Sequence, residues 1–258
     1  MRVALVHLVS TTDSATNRTN IADQLSELSA EDGFDLVVLP EGAMHDFGLP
    51  DLDLRPVAES VDGPFVRFLT AEAQRLRTTI VAGMFEQTDD LPFNTLVVVG
   101  PGGLEATYRK IHLYDSFGYR ESDRLSAGEI DPVVIEVAGR PVGLITCYDL
   151  RFPEHARALI DAGAELLVIP AAWVAGEHKL HHWRTLLAAR AIENTVHVVA
   201  AAQGGDRYTG HSVAIDPWGS IVVEAEDAPA ILQAELNADD VTRARDVNPS
   251  LANRRIYP

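Results

Sequence analysis

Cysteine is nearly absent from this chain of 258 residues, in which Cys147 stands alone. A single cysteine excludes an intrachain disulfide, a metal cage built from thiolates and a CxxC redox pair. We therefore expect a reducing, cytoplasmic location. Since 47% of the residues are apolar, the chain can bury a large core without covalent cross-links.

Positive charge is also scarce, with 21 Lys and Arg against 38 Asp and Glu, a net charge of −17. Such a surface repels the phosphates of nucleic acids and the anionic head groups of lipids. No apolar run reaches the roughly 18 residues that a membrane helix needs, and the longest run, 166–176, contains Pro170. We expect neither a nucleic-acid partner nor a membrane partner.

Short runs rich in Val, Ile and Leu, bounded by Gly, Pro or Asp, predict strands. These runs are 3–8, 36–39, 79–82, 95–99, 142–146, 166–169, 196–200, 213–216 and 220–223. The amphipathic stretches between them predict helices: one capped by Asn20, two that begin at Pro64 and Pro153, and one over 180–194. This alternation of strands and helices is typical of an α/β fold.

Four segments of the first half recur in the same order in the second half. Segments 3–8, 35–40, 80–83 and 101–103 resemble 142–147, 165–170, 198–201 and 217–219. Although apolar strands also resemble one another by chance, the shared order predicts a four-layer α-β-β-α sandwich with an internal pseudo-two-fold repeat. No linker divides the halves, so we expect one domain over 1–258. The irregular stretch 45–64 is a candidate lid.

Three chemically useful side chains follow predicted strands. Cys147 ends a strand shortly before a helix start, where backbone N–H groups can receive an oxyanion. A thiol with an ordinary pKa of about 8.5 needs a base or a cation to act as a nucleophile near pH 7. Glu41 and Lys110 are the candidates. The alternatives are an inert core thiol, a turn carboxylate and a solvated lysine.

The segments that hold these residues resemble the three signature segments of the nitrilase superfamily, the carbon-nitrogen hydrolases. They read Pro-Glu-Gly at 40–42, Tyr-Arg-Lys-Ile-His-Leu at 108–113 and Thr-Cys-Tyr-Asp-Leu-Arg-Phe-Pro-Glu at 146–154. The resemblance covers nearly the whole chain and is closest to the omega-amidase and deaminated glutathione amidase group. It implies the same α-β-β-α sandwich that the internal repeat predicts.

The resemblance also implies roles for individual residues. Glu41 would be the general base, Lys110 the stabiliser of the oxyanion, Cys147 the nucleophile and Glu121 a second glutamate in the same pocket. Pocket walls that contact the substrate are expected from the aromatic residues Phe47, Tyr114, Tyr148 and Trp173. The implied reaction is hydrolysis of a small, carboxylate-bearing amide through a cysteine thioester, with release of ammonia, without metal or cofactor, in a dimer or higher homo-oligomer.

Other functions use the same residues. A nitrilase or an N-carbamoyl hydrolase would need the same triad, and a catalytically idle member would act as a binding or scaffold protein. His178 and His182 have a spacing that can bind zinc, but a polar helix start explains them better. Asp149 and Arg151 are expected to form an ion pair that supports the turn of the nucleophile.

Overall fold

The computed structural model describes residues 1–226 and 228–256, so Asp227, Tyr257 and Pro258 of the expected domain lie outside the described residues. The strands are β1 (Arg2–His7), β2 (Leu36–Val38), β3 (Thr79–Glu86), β4 (Phe93–Gly100), β5 (Gly103–Arg109), β6 (Asp115–Ser116), β7 (Tyr119–Arg120), β8 (Val134–Val137), β9 (Arg140–Leu144), β10 (Leu166–Val168), β11 (His197–Ala200), β12 (Val213–Ile215), β13 (Ile221–Glu224) and β14 (Ala230–Glu235). The helices are α1 (Ser14–Leu25), α2 (Pro64–Leu76), α3 (Pro153–Asp161), α4 (Lys179–Asn194) and α5 (Ala238–Val247).

The strands form two six-stranded sheets with the same internal plan. Their orders are β14-β1-β2-β3-β4-β5 and β8-β9-β10-β11-β12-β13. In each sheet the first pair is antiparallel, the next two pairs are parallel and the last two are antiparallel. Strands β1, β2 and β3 therefore correspond to β9, β10 and β11, which confirms the internal repeat.

The two sheets pack face to face over one apolar core, which mixes residues of β1 and β2 with residues of β9 and β10. A second cluster lies under α1 and α2 on the outer face of the first sheet. A third lies under α3 and α4 on the outer face of the second sheet. Because β2 and β10 are buried along their whole length, they show no alternation of polar and apolar residues. The predicted α-β-β-α sandwich is confirmed.

The helix starts at Pro64 and Pro153 are confirmed, since proline at the first helical position loses no hydrogen bond there. The predicted cap at Asn20 is wrong. Helix α1 begins at Ser14, and the side chain of Asp13 accepts a 2.6 Å hydrogen bond from the backbone N–H of Thr16. Asn20 lies inside the helix. The first turns of α1 are mostly polar and, apart from the buried Asn17, half-buried or exposed, so apolar periodicity begins only later.

Five strands were not predicted: the two-residue strands β6 and β7, and the longer strands β5, β8 and β14. Each of the three longer strands lies at an edge of its six-stranded sheet, and each is partly exposed. Edge strands carry mixed polar and apolar residues because one side faces solvent, so their periodicity is weak. Within residues 1–226 and 228–256, no helix is both long and apolar enough to span a bilayer.

Candidate active site

The folded chain brings four predicted site residues to one cavity. Glu41 lies three residues beyond β2, Cys147 three residues beyond β9, Lys110 directly after β5, and Glu121 in a short 3₁₀ turn after β7. All four line the cavity, which holds about 320 Å³ of space, counting the part that is open to solvent. Each residue is at most 7% exposed. The site therefore lies where the carboxyl ends of central strands from both sheets meet.

Lys110 sits between the two glutamates. Its Nζ donates hydrogen bonds to Glu41 Oε1 at 2.9 Å and to Glu121 Oε2 at 2.8 Å. The side-chain amide of Asn94 donates to the same two carboxylates, at 2.7 Å and 3.1 Å. Burial alone would lower the pKa of Lys110, but the charges of Glu121 and Glu41 outweigh burial and raise it well above the usual value. Lys110 is therefore a fixed, permanently charged ammonium.

The carboxylate of Glu41 is also tied to the second half of the chain. Its Oε2 accepts a 2.7 Å hydrogen bond from the backbone N–H of Ala172, just beyond β10. Its backbone lies directly on β3, where a Cβ added to Gly83 would stand 2.6 Å from the Cα of Glu41. Only glycine allows the two backbones to approach so closely. Glu41 is thus held in place at both its backbone and its carboxylate.

Cys147 stands in a strained turn. Its φ of +45° lies in the left-handed region that side-chain-bearing residues rarely adopt. Its backbone N–H donates to the carbonyl oxygen of Pro170 at 3.0 Å. Burial and then the charge of Glu41 raise the pKa of the Cys147 thiol well above its usual value, against the lowering effect of Lys110. Since the lowering effect of Lys110 is outweighed, the site favours the protonated thiol, and attack by the sulfur needs a base.

One buried carboxylate joins the lysine segment to the cysteine turn. Asp149 accepts hydrogen bonds from the backbone and side chain of His112, at 2.9 and 2.7 Å, and from Tyr108 OH at 2.7 Å. It also accepts one from the backbone of Thr146 at 3.1 Å. In the sequence, Tyr108 and His112 lie on either side of Lys110, and Thr146 directly precedes Cys147. Asp149 therefore ties the two segments together.

The expected ion pair between Asp149 and Arg151 is wrong: no ion pair between them occurs among the described residues, and the carboxylate faces His112 instead.

One group of side chains in the described part of the chain could hold a metal ion. It consists of His112, Asp149 and His155, whose potential ligand atoms all lie within 4.8 Å of one another. Hydrogen bonds already occupy the Asp149 oxygens. The expectation that the enzyme uses no metal stays a prediction.

The four predicted aromatic residues divide between two adjoining cavities. Phe47 and Tyr114 line the cavity that holds Glu41 and Lys110. Tyr114, Tyr148 and Trp173 line a second cavity, of about 220 Å³ counted the same way, and Cys147 lines both. Cys147, the nucleophile candidate, thus lies between two adjoining cavities.

Sequence reasoning missed several residues at the site: Asn94, Tyr119, Ala172, Lys179, Arg207 and Tyr208. The sequence does carry a signal for Lys179, which is the rarity of lysine. The 21 Lys and Arg of the chain include two lysines, Lys110 and Lys179, and both line these cavities. The candidate lid 45–64 borders the first cavity through Phe47. Its closure stays a prediction.

Comparisons with known proteins identify the family of the chain. The model of the carbon-nitrogen hydrolase family matches residues 2–246. The chain belongs to this family. A deaminated glutathione amidase from Escherichia coli O157:H7 is 42% identical over 243 residues, which cover 92% of this chain and 91% of the relative. These matches confirm the predicted superfamily. They also confirm the predicted enzyme class, a hydrolase that acts on carbon-nitrogen bonds.

Two solved structures of carbon-nitrogen hydrolases are similar over the whole fold. A superfamily protein from Xanthomonas campestris with an arsenic adduct in its active site has a TM-score of 0.89 and 30% identity, covering 100% of this chain and 98% of its own. An amidase variant from Nesterenkonia sp. AN1 has a TM-score of 0.82 and 27% identity, covering 99% and 94%. That structure shows the acetamide moiety of fluoroacetamide added covalently at the active-site cysteine.

Proposed function

We propose that the chain is an amidase that cleaves a small, carboxylate-bearing amide through a thioester on Cys147. The observation that carries the proposal is the buried cluster of Glu41, Lys110 and Glu121 in one cavity with Cys147. This set combines a thiol, a proton acceptor and a fixed cation in a water-poor space. Covalent acyl transfer from an amide uses a nucleophile, a proton acceptor and a stabiliser of the oxyanion, and these three groups can fill those roles. The names of the relatives support the amide class.

The first half of the reaction forms the thioester. Glu41 accepts the thiol proton as the sulfur of Cys147 bonds to the amide carbonyl carbon. The negative charge moves to the carbonyl oxygen, where Lys110 and the backbone N–H of Tyr148 would stabilise it. Collapse of this intermediate breaks the carbon-nitrogen bond, and Glu41 returns the proton to the leaving nitrogen. A primary amide releases ammonia.

The second half hydrolyses the thioester. Glu41 accepts a proton from water, whose oxygen bonds to the acyl carbon, and the carbon-sulfur bond then breaks. The proton passes to the sulfur, and a carboxylic acid leaves. One base serves both halves because each ends with Glu41 deprotonated. Glu121 keeps Lys110 beside Glu41 through its own hydrogen bonds.

The high pKa of Cys147 favours this order of events over a resting thiolate. The net charge of Glu41, Glu121 and Lys110 is −1, so a thiolate at rest would add a second uncompensated negative charge. Proton transfer to Glu41 during the attack avoids that cost. A cytoplasmic location and a homo-oligomer stay predictions.

The decisive experiment is a substrate pulse followed by intact-mass measurement. The panel contains deaminated glutathione, succinamate, glutaramate, simple nitriles and carbamoyl amino acids, with ammonia and acid release followed in parallel. We expect the mass of an acyl group on the wild-type protein and none on Cys147→Ala. Equal release by both proteins would refute the enzyme, and turnover of nitriles or carbamoyl amino acids alone would support a nitrilase or a carbamoylase instead.

A further inference from the structure

Two cations line the second cavity without a carboxylate partner. Among the ion pairs of residues 1–226 and 228–256, none includes Lys179 or Arg151. Both side chains line the cavity next to Cys147. Lys110, in contrast, is fully engaged by two glutamates. In a protein with a net charge of −17, unpaired cations beside the thiol are unexpected.

The ammonium of Lys179 is held in place by aromatic residues. Its Nζ donates to Tyr114 OH at 2.8 Å and lies 3.8 Å from the centre of the Phe117 ring. The indole N–H of Trp173 donates to the carbonyl oxygen of Lys179 at 3.0 Å, which fixes the first turn of α4. An ammonium has three N–H donors, and Tyr114 takes one. Within residues 1–226 and 228–256, Tyr114 OH is the one hydrogen-bond acceptor of this ammonium, so N–H donors remain for a ligand.

Arg151 lies beside this lysine. Its guanidinium carbon is 4.7 Å from the centre of the Trp173 ring. Burial and then the charge of Arg151 lower the pKa of Lys179 below its usual value. Two cations that repel each other in a partly buried space gain from an anion placed between them.

We propose that Lys179, with Arg151 beside it, binds a carboxylate of the acyl part of the substrate while the scissile carbonyl lies at Cys147. This inference rests on the proposed function and names the residues that would select a substrate with a carboxylate. The carbonyl oxygen faces Lys110 in the first cavity, and the carboxylate occupies the second. A neutral amide of the same length leaves the two cations unpaired, so it binds more weakly.

The test compares two substrates of matched length, succinamate and butyramide, in wild type and Lys179→Met. The methionine keeps the apolar stem and removes the charge. We expect the ratio of kcat/KM for succinamate over butyramide to fall about 10- to 100-fold, mainly through KM, as for loss of one partner of a desolvated ion pair. Lys179→Arg restores most of the ratio. Arg243→Met, which removes a positive charge from an exposed site on α5, leaves the ratio unchanged.

A second measurement does not depend on turnover. Protein labelled with ¹³C at lysine Cε gives signals from two lysines alone, and Lys179→Arg assigns them. Saturating succinate is expected to raise the titration midpoint of Lys179, whereas butyramide leaves it in place.

A wild-type ratio near one, a ratio that Lys179→Met leaves unchanged, or a midpoint that succinate does not move would overturn this inference. Thioester formation on Cys147 separates that failure from failure of the proposed function. If butyramide still acylates the thiol, the amidase stands and only the carboxylate subsite falls.

Discussion

Replacing Lys110 by methionine tests whether the buried cluster is held together by charge. The wild-type cluster carries two carboxylates and one ammonium. Lys110→Met leaves both carboxylates buried without a cation, and both still accept from Asn94. Adding Glu121→Gln removes one of these charges and restores the wild-type sum of −1. The single and double variants therefore separate the effect on folding from the effect on catalysis.

The magnitudes follow from the geometry. The Nζ lies 2.9 and 2.8 Å from its two partners, and the three side chains are only 1–2% exposed, so water screens little. Breaking a buried ion pair costs about 3–5 kcal/mol, which we expect as the loss in the free energy of unfolding for Lys110→Met. The double variant should recover about half of that loss. In the proposed mechanism Lys110 stabilises the oxyanion, and losing such a donor raises the barrier by about 3–4 kcal/mol, so we expect both variants to lose about 10²–10³ in kcat.

The assay is urea unfolding followed by circular dichroism at pH 7, with turnover of succinamate measured on the same samples and Glu121→Gln alone as the control. The expected pattern is stability partly restored in the double variant while kcat stays low. If the double variant is no more stable than Lys110→Met, the idea that Lys110 stabilises the fold by offsetting buried negative charge is refuted. Recovery of kcat in the double variant would remove Lys110 from the chemistry.

Three further predictions concern the supports of the site. Asp149→Asn should lower the free energy of unfolding by about 1–3 kcal/mol, because the amide cannot accept all the hydrogen bonds that the carboxylate does. It should also lower kcat. Urea unfolding and turnover measure the two effects. Gly83→Ala should reduce kcat about tenfold or more by displacing the turn of Glu41, whereas Gly102→Ala, where a Cβ meets nothing within 4 Å, should not. Burial and then the charge of Arg140 lower the pKa of His197 to about 4, below its usual 6.5, so the unfolded chain binds the extra proton first. The contribution of His197 to the free energy of unfolding is therefore present above pH 6.5 and falls by about 3 kcal/mol as the pH drops to 4. Urea unfolding of His197→Asn over the same pH range should not show this loss.

The fold was largely predictable because its central strands are buried on both faces. Strands β2 and β10 form continuous apolar runs that end at Pro40 and Pro170, and the chain order of such runs revealed the repeat. Edge strands such as β5 escaped because exposure on one side breaks the pattern.

The candidate site was predictable only in part, for a different reason. Glu41, Lys110 and Cys147 carry reactive side chains that a motif can display. Ala172 contributes a backbone N–H, which any residue other than proline would also offer, so no side-chain pattern marks it. Asn94 begins β4 and meets the two carboxylates only after the strands have paired. Contacts made by tertiary packing leave little trace in local sequence.

The division of the candidate catalytic residues between the halves has a consequence for any attempt to split the chain. The first half contributes the carboxylates and the ammonium, and the second contributes the sulfur, although both halves share one strand plan. At the place that corresponds to Glu41, three residues past β10, the second half has Ala171. Since the proposed reaction draws its carboxylates and ammonium from one half and its sulfur from the other, we expect that neither half would turn over substrate if expressed alone.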